Sequence, residues 1–409
     1  MNRRIRQILT GVVLLYVLAS VYTLYLFFTA PEVKKVYNWV DEQMRSSGKH
    51  HATKDHELEQ LNKQPRPTPA NRVEVFEVWS KVGLGTYTWE HILGGQLEPR
   101  LGGIWSYGEL KSSGILFRMR HGDGVMPEKV PQDAENVVLI LNGRSRDTVY
   151  HTKTWLDHLE SYPRLARVVL MLIGNEQCQN DWVLPYMKSN GGRLDLLFIV
   201  YDTTIVNGRD ILQWPLGVAT YRGFPVVNSS QLHLASPRHY LCNFMGTVYP
   251  GSSRERLSRI MASHQLQNYC YMKTRKNWEP DETEASLQSY INVITQSDLT
   301  LSPVGMNPEC YRIYEACALG SMPVVENLPT EGDCLRSPFR LLKEHGAPFV
   351  YVKDWSELPN IIKEQQRLSV DEVIQRRQDL VAWYEEFKGT MRDIFLGKLQ
   401  GLFPGYQFR

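Results

Sequence analysis

No Asp-x-Asp, no Gly-x-Gly-x-x-Gly and no Cys-x-x-Cys occurs anywhere in the 409 residues. The first absence removes the usual carboxylate seat for Mn²⁺ or Mg²⁺. The second removes the dinucleotide fingerprint, and the third the commonest zinc and redox spacings. An excess of one charge is missing too: 46 basic residues face 44 acidic ones, which gives no footprint for nucleic acid. A hydrophobic content of 43% excludes a disordered chain, and the length leaves room for two folded domains. Cysteine is scarce: Cys178, Cys242, Cys270, Cys310, Cys317 and Cys334 are all there is. Without metal or redox spacing, none reads as catalytic.

Long apolar runs are equally rare, and the one present is informative. Arg3, Arg4 and Arg6 precede an uncharged stretch from Gln7 to Ala30, closed by Pro31. That length spans a bilayer and exceeds the apolar core of a cleaved signal. With more positive charge before the run than after it, the expected orientation is N-terminus in the cytoplasm, body in the lumen. Residues 1–6 are then a cytoplasmic tail, 7–30 a signal anchor and 31–71 a polar stem rich in His and Pro. All six cysteines fall on the oxidising side, where some pairing is expected. Cys310 and Cys317 read as sharing one helix about 10 Å apart, too far to pair with each other. Asn228-Ser229-Ser230 is a glycosylation sequon, consistent with the lumen.

From Asn136 onward, short apolar runs alternate with helical patterns, the signature of parallel α/β units. The runs 137–141, 168–173, 194–200 and 224–227 read as buried strands, with crossover helices over 152–159 and 181–188. A second series follows at 240–245, 269–273, 299–302, 322–325 and 349–352. Its helices are expected over 252–263, 283–295 and 308–319, the last with Asn307 as N-cap, Pro308 at N1 and Gly320 as C-cap. The expectation is a Rossmann-like acceptor domain over 72–235 and a Rossmann-like nucleotide-sugar domain over 236–368. Residues 213–238, rich in Pro and aromatics, cross between them. Ser369 with Glu372 forms a capping box that opens a helical segment over 369–409, expected to pack back on the first domain. Two such halves facing a cleft form a GT-B-like arrangement.

Ligands of parallel α/β domains sit beyond strand ends, where helix N-termini meet anions. In the second half Gly246 and Gly251 flank a loop that leads to Arg254 at a helix start, suited to phosphate. Ser302 and Gly305 mark a second strand end and glycine loop before a helix carrying Arg312 and Glu315. The wheel of that helix puts Cys310, Ile313, Tyr314 and Cys317 on one apolar face, with Arg312 and Glu315 opposite as an exposed pair. In the first half Arg144 and Arg146 follow the first buried run and could hold a phosphodiester. A general base is expected among Glu90, His91, Glu176 and Asp202, with Glu90 preferred.

The segment Leu299 to Val325, ending Glu315-Ala316-Cys317-Ala318-Leu319-Gly320-Ser321-Met322-Pro323-Val324-Val325, resembles the nucleotide-sugar segment of the exostosin family of glycosyltransferases. Longer blocks narrow the resemblance to its branch that transfers xylose to ribitol phosphate. They are Trp89-Glu90-His91-Ile92, Val137 to Arg144, Gln213 to Tyr221 and Cys310 to Cys317, and the likeness runs from about Val73 to the C-terminal helix. The resemblance implies UDP-xylose as donor and ribitol-5-phosphate on the O-mannosyl glycan of alpha-dystroglycan as acceptor. It further implies inversion to a β1,4 linkage and assignment of Arg312 and Glu315 to the donor site. The expected setting is the Golgi membrane, with other dystroglycan glycosyltransferases as possible partners. No divalent cofactor is expected to be required. An exostosin-like transferase with another UDP-sugar and a catalytically silent lumenal scaffold are the competing expectations.

Overall fold

The computed structural model describes residues 73–98, 104–277, 283–330, 334 and 337–403. The expected tail, anchor and stem lie outside them. Among the described residues no helix is long and apolar enough to cross a membrane.

Strand β1 (Glu74–Ser80) alternates: Phe76 and Val78 enter one core layer, while Glu77 and Trp79 point to the opposite face. A helical turn, α1 (Gly83–Thr86), widens into a π-type turn over Tyr87–Ile92. The hairpin of β2 (Ser106–Ser112) and β3 (Ile115–His121) closes on Ser113 and Gly114, both at positive φ, as a two-residue primed turn requires. Strands β4 (Asn136–Asn142), β5 (Arg167–Ile173), β6 (Leu196–Val200) and β7 (Ile211–Trp214) complete a sheet of order β2-β3-β1-β4-β5-β6-β7, parallel except for the hairpin. Helix α2 (Arg146–His158) covers one face through Trp155 and Leu156.

The second sheet is fully parallel. Its strands are β8 (Tyr240–Thr247), β9 (Cys270–Arg275), β10 (Ser297–Ser302), β11 (Met322–Glu326) and β12 (Val350–Val352), in the order β12-β11-β10-β8-β9. The intervening helices are α3 (Ser253–Ser263), α4 (Glu284–Thr295), α5 (Tyr311–Ala318), α6 (Arg340–Glu344) and α7 (Leu358–Arg367). Strand order reverses between β8 and β10, so the loops leaving those two strands diverge and open a crevice.

The 31-residue helix α8 (Val370–Gln400) then joins the two sheets into one compact unit. Ser369 and Glu372 cap it reciprocally, the Glu372 carboxylate accepting from the Ser369 N–H at 2.8 Å. Near its start, buried Arg377 pairs with Asp298 of the second sheet at 2.6 Å. Near its end, Phe395 lies among Phe117, Phe198 and Trp214 of the first sheet, with centroids 5.4–6.2 Å away. Removing such a ring typically costs about 3–5 kcal/mol. Two disulfides add covalent ties: Cys242–Cys270 joins the adjacent strands β8 and β9, and Cys178–Cys334 joins the loop after β5 to the segment after β11. Cys310 and Cys317 are free thiols, the latter buried.

Several expectations change. Residues 224–227 form no strand, since Pro225 offers no N–H to a ladder, and β7 at 211–214 takes the sheet edge instead. Asp181–Tyr186 is a 3-10 turn interrupted by Pro185, not a crossover helix. Helix α5 starts at Tyr311 with Cys310 as N-cap, not at Pro308, because Asn307 and Glu309 are engaged in contacts outside the helix. Gly320, at φ +69°, does adopt the left-handed conformation that ends it. The first three strands lie ahead of the region where apolar runs signal strands, although β3 alternates Ile115, Phe117 and Met119 inward against Arg118 and Arg120.

Candidate active site

A cavity of about 660 Å³ opens at the crevice and is lined by both halves of the molecule. That is within the range of small-molecule sites, which run to roughly 300–1,000 Å³. On its second-sheet wall stand Arg254, from the first turn of α3, and Arg312, from the first turn of α5. Arg254 donates to the Thr247 carbonyl at 2.9 Å, and Arg312 to the Met245 carbonyl at 2.8 Å while its guanidinium lies 5.0 Å from the Phe244 ring centroid. Each keeps a buried Nε without a hydrogen-bond partner. Burial, and then repulsion from Arg312, pull the Arg254 guanidinium below its ordinary value. Two cations held this close by backbone carbonyls make a preorganised anion site.

The glycines explain how the arginines fit. A Cβ on Gly246 would stand 3.0 Å from Arg312 Nη2, and one on Gly305 only 2.8 Å from Arg254 Nη2. Neither position needs positive φ; each needs the missing side chain. Gly251 does sit at φ +75°, at the turn into α3. Ser302, by contrast, is buried at the end of β10 and does not line the cavity.

Glu315 corrects the helical wheel. It lines the cavity but is only 4% exposed, because the crossing segment packs over that face of α5. One carboxylate oxygen accepts from the Ala219 N–H at 3.1 Å, the other from the Tyr290 hydroxyl at 2.6 Å. Burial pushes its carboxyl above the ordinary value despite both bonds.

The first-sheet wall carries Arg144, Glu176 and Tyr201. Arg144 Nη2 donates to the Tyr201 hydroxyl at 2.8 Å, and its Nε lies 3.4 Å from Glu176 Oε1. Tyr201 also donates to Glu176, at 3.3 Å. Arg146 does not join Arg144: it is the exposed first residue of α2, turned away once Ser145 caps that helix. Glu90 and His91 sit in the π-type turn and do not line the cavity. Burial raises the Glu90 carboxyl and lowers the His91 imidazole to about 4. Asp202 is locked by Arg340, two contacts of 2.8 Å, and is also outside the cavity. Of the four carboxylate and imidazole candidates for base, Glu176 alone lines the cavity. Asn228 is exposed, its Oδ1 accepting from the Ser230 N–H and hydroxyl. No three of His, Cys, Asp and Glu among the described residues come together to hold a metal ion.

The residue reading missed Glu309, Tyr201, Tyr221 and Tyr311. Glu309 is 3% exposed, with Oε1 accepting from the Leu216 N–H at 3.0 Å and from the Tyr314 hydroxyl, and Oε2 without a partner. Its burial comes from the crossing segment, almost a hundred residues earlier in the chain. Tyr221 and Tyr311 pair at 5.5 Å between centroids on the cavity wall.

Two largely parallel α/β sheets, the second with its strand order reversing at a pair of half-buried arginines, and a shared cavity define an α/β protein whose architecture is consistent with a Rossmann-like, GT-B arrangement. Comparison with known proteins narrows the class. Residues 76–215 match a family model described as the RXYLT1 N-terminal domain, and residues 221–403 one described as the RXYLT1 C-terminal domain. Curated proteins named ribitol-5-phosphate xylosyltransferase 1 are similar over most of the chain. The Danio rerio protein is 47% identical over 339 residues, covering 81% of this chain and 78% of the relative. The Mus musculus protein is 43% identical over 356 residues (85% and 80%), and that of Homo sapiens 42% over 337 (80% and 76%). The chain belongs to the ribitol-5-phosphate xylosyltransferase family.

Proposed function

We propose that this chain transfers xylose from UDP-xylose to ribitol-5-phosphate, inverting to a β1,4 linkage, on the O-mannosyl glycan of alpha-dystroglycan. The reading rests above all on Arg254 and Arg312, two half-buried arginines with buried, unpartnered Nε atoms at the strand-order reversal. As the sugar–phosphate bond breaks, charge grows on the departing diphosphate. Fixed cations in a poorly solvated site stabilise that charge without reorganising. This supports transfer without a required divalent ion. Glu315, held by Ala219 and Tyr290, is suited to accept a ribose hydroxyl with a remaining lone pair.

On the opposite wall Arg144 is the cation for the acceptor phosphate. Glu176, beside it and 26% exposed at the side chain, takes the proton of the attacking hydroxyl. Attack from the wall facing the diphosphate gives inversion. The two disulfides and the exposed sequon at Asn228 support a lumenal body, and the arginine-flanked run 7–30 supports a Golgi membrane anchor. Association with other dystroglycan glycosyltransferases fits that setting. The test is full-length protein incubated with a ribitol-5-phosphate acceptor and UDP-xylose, UDP-GlcNAc or UDP-glucuronate in parallel. Product from UDP-xylose alone is expected. Comparable product from another donor would move the chain to a different exostosin-like specificity, and donor binding without any product would make it a scaffold.

A further inference from the structure

Resting on that reading, the residue it leaves unused is Glu309. Its carboxylate joins the crossing segment, through the Leu216 N–H, to α5, through the Tyr314 hydroxyl. Two residues earlier, Asn307 Oδ1 accepts from the Glu309 N–H at 2.9 Å, and Asn307 Nδ2 donates to the Glu176 backbone carbonyl at 2.9 Å. The Asn307–Glu309 turn therefore clips together three segments of the cavity wall: the loop bearing Glu176, the crossing segment and the helix bearing Arg312. We propose that Glu309 is a positioning residue whose ionised carboxylate tightens this clip and so holds the Glu176 base in line with the donor.

The surroundings make the clip responsive to pH. Burial raises the Glu309 carboxyl from 4.5 to about 7, against the lowering effect of the Tyr314 and Leu216 bonds, with Asp202 adding repulsion. The titratable groups around it are Tyr314 on α5, Tyr201 and Asp202 after β6, and Tyr87 after β1; Arg340 neutralises Asp202. Both donors meet Oε1, so the ionised form receives charge-assisted bonds and the protonated form ordinary ones. Transfer is expected to rise as pH passes upward through about 7. The thermodynamic sign is opposite. A carboxyl raised in the folded state binds its proton more tightly there than when unfolded, so its contribution to stability is complete below the unfolded value and is lost as pH climbs to the folded one.

The experiment compares wild type with Glu309→Gln and Glu309→Asp, reading kcat and melting temperature from pH 5 to pH 8.5. Gln imitates the protonated carboxyl, so its kcat should be flat with pH and equal to the wild-type acid plateau. At pH 8 it should fall below wild type by about fivefold, the loss expected when a charged hydrogen-bond acceptor becomes neutral. Donor KM should stay put, and Asp should restore the break in the profile in part. Melting needs no substrate: wild type should lose stability relative to Gln as pH rises from 5 to about 7. If Glu309→Gln keeps the wild-type break in kcat, or abolishes turnover at every pH as loss of the base itself would, the positioning role is wrong. Were xylosyl transfer absent from wild type, the functional reading would fail and the positioning role with it; transfer present with an unchanged Glu309→Gln profile sinks the positioning role alone.

Discussion

The two walls of the cavity are built differently. On the second-sheet wall, Arg254 and Arg312 stand in the first turns of two helices, each tied to a backbone carbonyl and each abutting a glycine. On the first-sheet wall, Arg144 is held by side chains alone, Tyr201 and Glu176, at the end of a loop. A site fixed by backbone at helix starts suits a ligand part common to many reactions, the nucleoside diphosphate. One fixed by side chains on loops can be altered without disturbing the sheet, and suits the part that differs, the acceptor.

The largest effect should come from the rigid wall. Arg312→Ala is expected to lower kcat by about 10²-fold or more, as loss of an oxyanion donor does, in steady-state assays with UDP-xylose. A variant near wild-type kcat would break the comparison outright. Next, Glu176→Gln should cut kcat by roughly 10²-fold, the lower range for a lost general base, while UDP binding by calorimetry is retained. Retained turnover would leave the first wall without a base.

A smaller effect sharpens the contrast within the loop wall. Arg144→Ala should raise the acceptor KM by about tenfold, in line with loss of a charged hydrogen bond, and leave the donor KM alone. Arg146→Ala and Glu90→Gln should match wild type in the same assay, because neither residue reaches the cavity. Equal losses at Arg144 and Arg146 would mean the acceptor approaches over the outside of α2. Finally, excess EDTA should leave the rate unchanged; complete loss restored by Mn²⁺ would show that the arginines do not suffice as counter-charge.

The same contrast explains what could be read beforehand. The alternation of strands and helices after Asn136, the α8 capping box and the groups at strand ends are local patterns, and Gly246, Arg254, Gly305 and Arg312 do meet around one cavity. Glu315 was misplaced because a helical wheel knows nothing of residues 216–219 lying across it, nearly a hundred positions earlier in sequence. Arg146 was grouped with Arg144 by adjacency, yet the Ser145 cap turns one into a helix and leaves the other in the loop. Glu309 was invisible because its burial is imposed from Leu216, again through a long-range contact.

One covalent feature reaches further than its role as a tie. Cys178 lies two residues beyond Glu176, and its bond to Cys334 fastens that loop to the half of the molecule carrying the arginines. Glu176 is thereby held from both sides, by Arg144 and Tyr201 of the first sheet and, two residues further on, by a covalent tie to the second. Widening the gap between the sheets would have to stretch this loop against both anchors, so the disulfide resists any opening that would take the base away from the arginines.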